Sequence, residues 1–201
     1  MHTCRCILIS LITLSCIIAS GCTTSAPSGA AVPAASQPGL VTTQPSGPAP
    51  VLSLQVDSLT PGSPLPDAYS CKGASESPAV SWDGIPAGTK SLVLILDDPD
   101  APKGTFTHWI VFNIPPQSGG LARAQPNLKV LSDGAQQGDT SSGSRGYYPP
   151  CPPVGTTHRY IFRLYAVDMD ITQPAADRES IDWALTGHTL AETAFTTTLK
   201  R

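Results

Sequence analysis

The segment Leu92–Ile114, LVLILDDPDAPKGTFTHWIVFNI, constrains this chain more than any other. Leu92–Leu96 is a short apolar run of the kind that fills a sheet interior. It stops at Asp97-Asp98-Pro99-Asp100-Ala101-Pro102, because proline cannot donate to a strand ladder and pushes its predecessor out of the helical region. Apolar character resumes at Thr107-His108-Trp109-Ile110-Val111-Phe112-Asn113-Ile114 and stops again at Pro115-Pro116. Two buried strands are predicted, with three carboxylates and His108 left at the rim of an apolar sheet. Loops held on a rigid scaffold are where binding groups collect.

The remaining pattern is also that of a β protein. Leu52, Leu54 and Val56 alternate with polar residues, which predicts a half-buried strand. Tyr69–Gly73 and Asn127–Leu131 are weaker strand candidates, and Pro78–Trp82 reads as extended. Ser132–Ser144 reads as a mobile loop, and Gly146–Gly155, with four prolines, as a stiff irregular one. His158–Asp168 predicts a long strand apolar on both faces, hence central. Asp177–Leu185 and His188–Phe195 have the spacing of two short helices separated by Gly187, with Thr196–Leu199 as a closing strand. Most strands lack helices between them, so an antiparallel sandwich with late helices is expected rather than a parallel βαβ sheet.

The first fifty residues read differently. Residues 1–21 have a basic start, the apolar run Ile7–Ile18 and a small-residue exit, Ala19-Ser20-Gly21, which is the plan of an export signal. Ala19-Ser20-Gly21-Cys22 resembles a bacterial lipobox, so Cys22 is expected to carry lipid and tie the chain to a membrane, the outer one in a diderm cell. Residues 22–50 lack charge and are rich in Ala, Ser, Pro, Gly and Thr, the composition of a tether. Residues 51–201 then form one domain, large enough for its own core. Once Cys4, Cys6 and Cys16 leave with the signal, Cys71 and Cys151 remain as an even pair in an oxidising compartment. They either form a disulfide or stay as two small buried thiols. A net charge of -3 gives no footprint for nucleic acid.

Three separated segments resemble the phosphatidylethanolamine-binding protein family: Ser77–Trp82; Asp98-Pro99-Asp100-Ala101-Pro102 with His108-Trp109; and Gly146-Tyr147 with Pro152-Pro153 and His158-Arg159-Tyr160. Cys71-Lys72-Gly73 and Pro150-Cys151-Pro152-Pro153 are similar to its bacterial Raf-kinase-inhibitor-like (YbhB/YbcL-type) branch, and Gly187–Ala191 also fits. The resemblance covers nearly all of Leu52–Arg201. It implies a mainly β sandwich, with a large central antiparallel sheet, a smaller sheet packed on it and short helices near the C-terminus. It also implies a small pocket for phosphate-type anions or phospholipid headgroups. By matching position, the pocket is formed by Asp98, Asp100, His108, the backbone at Pro149, Pro150 and Cys151, His158 and Tyr160. Cys151 matches a residue that often gives its backbone N–H to the anion. Pro149 stands where the family usually has glycine, so the cradle is expected to have one N–H fewer.

The residue types suit that chemistry. His108, His158 and Tyr160 can supply donors converging on an anion. Asp98 and Asp100 cannot bind a dianion directly; their expected work is to orient the histidines and raise their basicity, so that anion binding weakens as pH rises past neutrality. Asp also favours turns for local reasons, an alternative role for both aspartates. A hydrolase is disfavoured because no G-x-S-x-G elbow is present. The Asp–His spacing matches no zinc pattern, and no metal or other cofactor is called for. A non-catalytic binding module is therefore expected, either capturing a small ligand or modulating a protein partner such as a kinase or protease.

Overall fold

A computed structural model describes residues 51–172 and 176–201. The export signal, the tether and Cys22 lie outside the described residues. The elements are β1 (Ser53–Val56), β2 (Val80–Asp83), β3 (Ser91–Asp98), β4 (Phe106–Ile114), β5 (Gly120–Leu121), β6 (Gln136–Gln137), β7 (Thr157–Val167), α1 (Arg178–Leu185) and β8 (Thr189–Lys200). They form two antiparallel sheets, a small one in the order β1-β2-β5 and a large one in the order β6-β4-β3-β7-β8. This is the mainly β sandwich expected, with a single short α-helix near the C-terminus among the described residues.

β3 is central, and all eight of its residues are buried. Its two faces feed two separate cores. Leu92, Leu94 and Leu96 join Trp109, Phe162, Leu164 and the small sheet's Val56, Val80 and Trp82. Val93 and Ile95 face Ile110, Phe112 and the helix residues Ile181, Ala184 and Leu185. The Asp177 side chain accepts from Ser180 N–H and caps α1, satisfying one of the donors that a helix start leaves free. Asp97, at 1% exposure, is enclosed on the helix side, where Thr107, Arg163 and Arg178 supply its donors.

Several local expectations are corrected. His188–Phe195 is not helical: α1 ends at Leu185, Gly187 adopts φ +80°, and the chain turns directly into β8. Leu190, Ala191, Ala194 and Phe195 mimic helical spacing, but pairing along the full length of β7 outweighs that weak signal. Tyr69–Gly73 is no strand; Asp67–Tyr69 is a 3-10 turn. Asn127–Leu131 is irregular, touching Gln136 through one isolated bridge at Val130. Ser132–Ser144 is more ordered than its composition suggests. β6 lies within it and pairs with β4, and the buried Gln137 accepts from Trp109 Nε1 and donates to the carbonyls of Pro126 and Leu128.

Gly146 starts the proline-rich segment with φ +85°, and a Cβ there would lie 2.4 Å from Asn127 Oδ1 and 3.0 Å from Asn127 Cα. Beyond it, the Tyr147 hydroxyl donates to the Tyr69 carbonyl at 2.6 Å and anchors the segment to the domain. Gly146→Ala is therefore expected to lower stability by about 1–3 kcal/mol through left-handed strain and overlap with the Asn127 side chain. Chemical denaturation of the variant beside the parent chain measures it.

Candidate functional site

Antiparallel pairing sets the end of β3 beside the starts of both its neighbours. Asp98 closes β3, opposite Phe106 at the start of β4, while Asp97 faces Ile161 of β7. His108 therefore reaches this rim from one side of β3 and His158 from the other. The β3–β4 register slips here: Leu96 pairs with Trp109 and Asp97 with Thr107, leaving His108 as the extra residue. A bulge of this kind re-aims a side chain and frees a backbone carbonyl from the ladder. The His108 carbonyl accepts from Tyr148 N–H at 2.8 Å, and His108 Nδ1 lies 2.9 Å from the Tyr148 carbonyl, so the bulge and the proline-rich loop are tied twice.

The second histidine is held by charge. His158 Nδ1 lies 2.8 Å from Asp98 Oδ2, and the two side chains are 7% and 5% exposed. Asp98 Oδ1 accepts from Asp100 N–H at 2.9 Å, which fixes the Asp98–Pro102 turn. In both rings Nδ1–H has a protein acceptor, so Nε2 is the free nitrogen. These side chains border a cavity of about 250 Å³ lined by Asp98, Cys151 and both histidines together with Ala101, Pro102, Phe106, Tyr148, Pro152 and Pro153.

Four of the eight expected pocket residues therefore come together: Asp98, His108, Cys151 and His158. Asp100, Pro149, Pro150 and Tyr160 are not among the residues that line the cavity. Asp100 turns onto Arg159, accepting from its backbone N–H at 2.9 Å, from Nε at 2.9 Å and from Nη2 at 2.6 Å. Those bonds hold its carboxyl down to about 2 and tie the turn to β7 beside His158. Tyr160 is fully enclosed, with its ring edge-on to His108 at 5.4 Å. Burial first, and the Asp98 charge second, push its hydroxyl well above the ordinary range. Pro150 is buried, and its carbonyl accepts from Cys71 N–H at 3.0 Å. Cys71 and Cys151 are joined by a disulfide.

Sequence reasoning missed the apolar wall. Phe106 packs 4.7 Å from the His108 ring and 5.6 Å from Tyr148. One signal was available: Phe106 stands two residues before His108, the spacing of side chains sharing a strand face. It also mistook the electrostatic balance at His108. Burial lowers the pKa of this ring from 6.5, outweighing the Tyr148 carbonyl and Asp98, which raise it. Among the described residues no cluster of three His, Cys, Asp or Glu side chains has metal-binding geometry, and no helix is long and apolar enough to cross a membrane.

The profile of the phosphatidylethanolamine-binding protein family matches residues 55–200. A "UPF0098 protein" of Methanothermobacter thermautotrophicus is 51% identical over 130 residues, spanning 64% of this chain and 85% of its own. A Mycobacterium tuberculosis protein named "Putative lipoprotein LppC" is 40% identical over 133 residues, spanning 66% of this chain and 63% of its own. The crystal structure of E. coli YbcL, described as a new member of the mammalian PEBP family, superposes with a TM-score of 0.68 at 26% identity, covering 75% of this chain and 98% of that one.

The lowered pKa at His108 fixes a sign. The unfolded chain takes up the proton near 6.5 and the folded chain only at lower pH, so this residue's contribution is intact above about pH 6.5 and is lost as pH falls through the folded value. Histidine NMR is expected to place the His108 midpoint below 6.5. Denaturation midpoints taken between about pH 7 and about pH 5 are expected to fall less steeply for His108→Gln than for the parent chain.

Proposed function

The chain belongs to the phosphatidylethanolamine-binding protein family, and from that premise we propose that it is a non-catalytic binding protein whose cavity takes a phosphate-type anion, free or as a phospholipid headgroup. One observation carries this reading. Two buried histidines from opposite sides of β3 have their Nδ1 atoms committed to protein acceptors and converge, with Cys151, on one small cavity. A protonated His108 donates from Nε2 to a phosphoryl oxygen. A neutral His108 accepts there instead, which suits only an anion that keeps a hydroxyl of its own. Asp98 accepts from Nδ1–H of His158 and keeps that ring's orientation fixed, with Nε2 turned to the cavity.

The size of the site supports a headgroup rather than a whole lipid. About 250 Å³ lies below the roughly 300–1,000 Å³ of sites that enclose drug-sized molecules, and stiff prolines border it. The apolar walls then exclude water from an anion's ester substituent without engulfing acyl chains. Export by residues 1–21 and lipid on Cys22 would place the domain at a membrane surface on an uncharged tether, in keeping with the relative named as a lipoprotein. A protein partner using the same cavity is the second reading, supported by Val154, which is 79% exposed just beyond the cavity's Pro152-Pro153.

Calorimetric titration of the full chain in detergent, with inorganic phosphate and with phosphoethanolamine, tests the proposal. Saturable binding is expected that weakens by about tenfold or more in His108→Ala, one charge-assisted hydrogen bond being lost. Affinity is also expected to fall from about pH 5 to about pH 7 as His108, whose pKa burial holds below 6.5, loses its proton. Absence of binding by either anion to a folded chain overturns the anion reading in favour of the partner.

A further inference from the structure

The part of the cavity wall formed by Cys151 is covalently bonded to another part of the domain. In Pro149-Pro150-Cys151-Pro152-Pro153 four of five residues have no N–H, so Cys151 holds the single backbone donor of this rim. Among the described residues no protein group accepts from it. Its position does not depend on the loop alone. The disulfide bonds Cys151 to Cys71 across 80 residues, with the Cα atoms 5.4 Å apart, and the Cys71 N–H donates to the Pro150 carbonyl beside it. Both cysteines are exposed, so the bond is open to solvent although it borders the cavity.

A third group completes the arrangement. Arg201 Nη1 approaches Cys151 Sγ at 3.4 Å. The backbone of Arg201 is fixed by two hydrogen bonds, donating to the Thr156 carbonyl at 3.1 Å and accepting from Gly155 N–H at 2.6 Å. A guanidinium beside one sulfur of a disulfide stabilises that sulfur as a departing thiolate. The pair is therefore asymmetric: attack falls on Cys71 and Cys151 leaves.

We propose that the Cys71–Cys151 bond is a redox control on the neighbouring cavity, high affinity for anion belonging to the oxidised chain and low affinity to the reduced one. This rests on the reading of that cavity as an anion site. The partner reagent is a dithiol reductant. One of its thiolates attacks Cys71 Sγ, the S–S bond breaks, and Cys151 leaves as a thiolate. The second reductant thiol then closes the reductant's own disulfide and releases Cys71 as a thiol. Two electrons pass to the protein; of the two protons that the dithiol gives up, one stays on Cys71 and the other goes to solvent. Two changes follow at the site. The lone N–H donor is no longer pinned at the rim, and a negative charge appears on the wall that an anion must approach.

Phosphate titration of the oxidised full chain and of the chain reduced with dithiothreitol tests this, with near-ultraviolet circular dichroism on both. The reduced chain is expected to keep its aromatic dichroism and to bind inorganic phosphate about tenfold more weakly at about pH 8. The deficit is expected to shrink at about pH 6, where the Cys151 thiolate takes up a proton; a purely structural staple would not show that pH dependence. Cys71→Ser, which leaves Cys151 as a lone thiol, is expected to reproduce the loss without reductant. Equal affinity in the two redox states overturns the inference and leaves the anion site standing. Loss of dichroism on reduction also overturns it, making the bond a staple of the fold. Binding in neither state removes the anion site itself, and the inference with it.

Discussion

An almost fully enclosed carboxylate needs donors on both oxygens, and Asp98 is where this fold meets that requirement. One oxygen takes the His158 ring N–H and the other the Asp100 backbone N–H. The first bond joins β3 to β7 at the rim of the sheet. The second closes the turn that leads from β3 into β4. Both bonds fix the position of Asp98, and with it the turn that borders the cavity through Ala101 and Pro102. Replacing the carboxylate by a group with one acceptor would leave either the ring or the turn without its partner.

The same end of the sheet shows a division of labour between the two neighbouring aspartates of β3. Asp97 points to the helix side and is neutralised by Arg163 and Arg178, with burial raising its pKa against their pull. Asp98 points the other way and is matched to a histidine. Alternation along one strand thus sends one carboxylate to brace α1 and the next to the cavity. Asp100, two residues on, repeats the bracing role with Arg159 on the outside. Three acidic residues in a run of four therefore hold three different structural connections, and only Asp98 borders the cavity.

Much of this was legible in the sequence, and what was not has identifiable causes. β3, β4 and β7 were readable because long apolar or alternating runs bounded by proline and glycine leave little choice. Asp98, His108, Cys151 and His158 were placed by a resemblance resting on three separated motifs rather than by any one spacing. Asp100 and Tyr160 lie outside the cavity lining because strand pairing sets their surroundings: Arg159 takes the first, and burial against His108 encloses the second. The bulge at His108 could not be read, since an extra residue changes the side-chain alternation without changing composition. β8 was mistaken in its first half because its buried residues, Phe195, Thr197 and Leu199, all lie in the second half, so its alternation begins late.

The outer edge of β8 has a consequence for how copies of this domain behave when crowded. Twelve residues is long for a strand with a free side, and such an edge invites a second chain to pair with it. Here the segment Gly62–Leu65 runs along the C-terminal half of that edge. It donates from Gly62 to Thr196 and from Leu65 to Thr198, and it accepts from Thr198 at Ser63. The opposite edge of the sheet is β6, only two residues long. Among the described residues the stretch of β8 left to a neighbour is therefore only Thr189–Phe195, so crowded copies have a short edge to pair along rather than the whole strand.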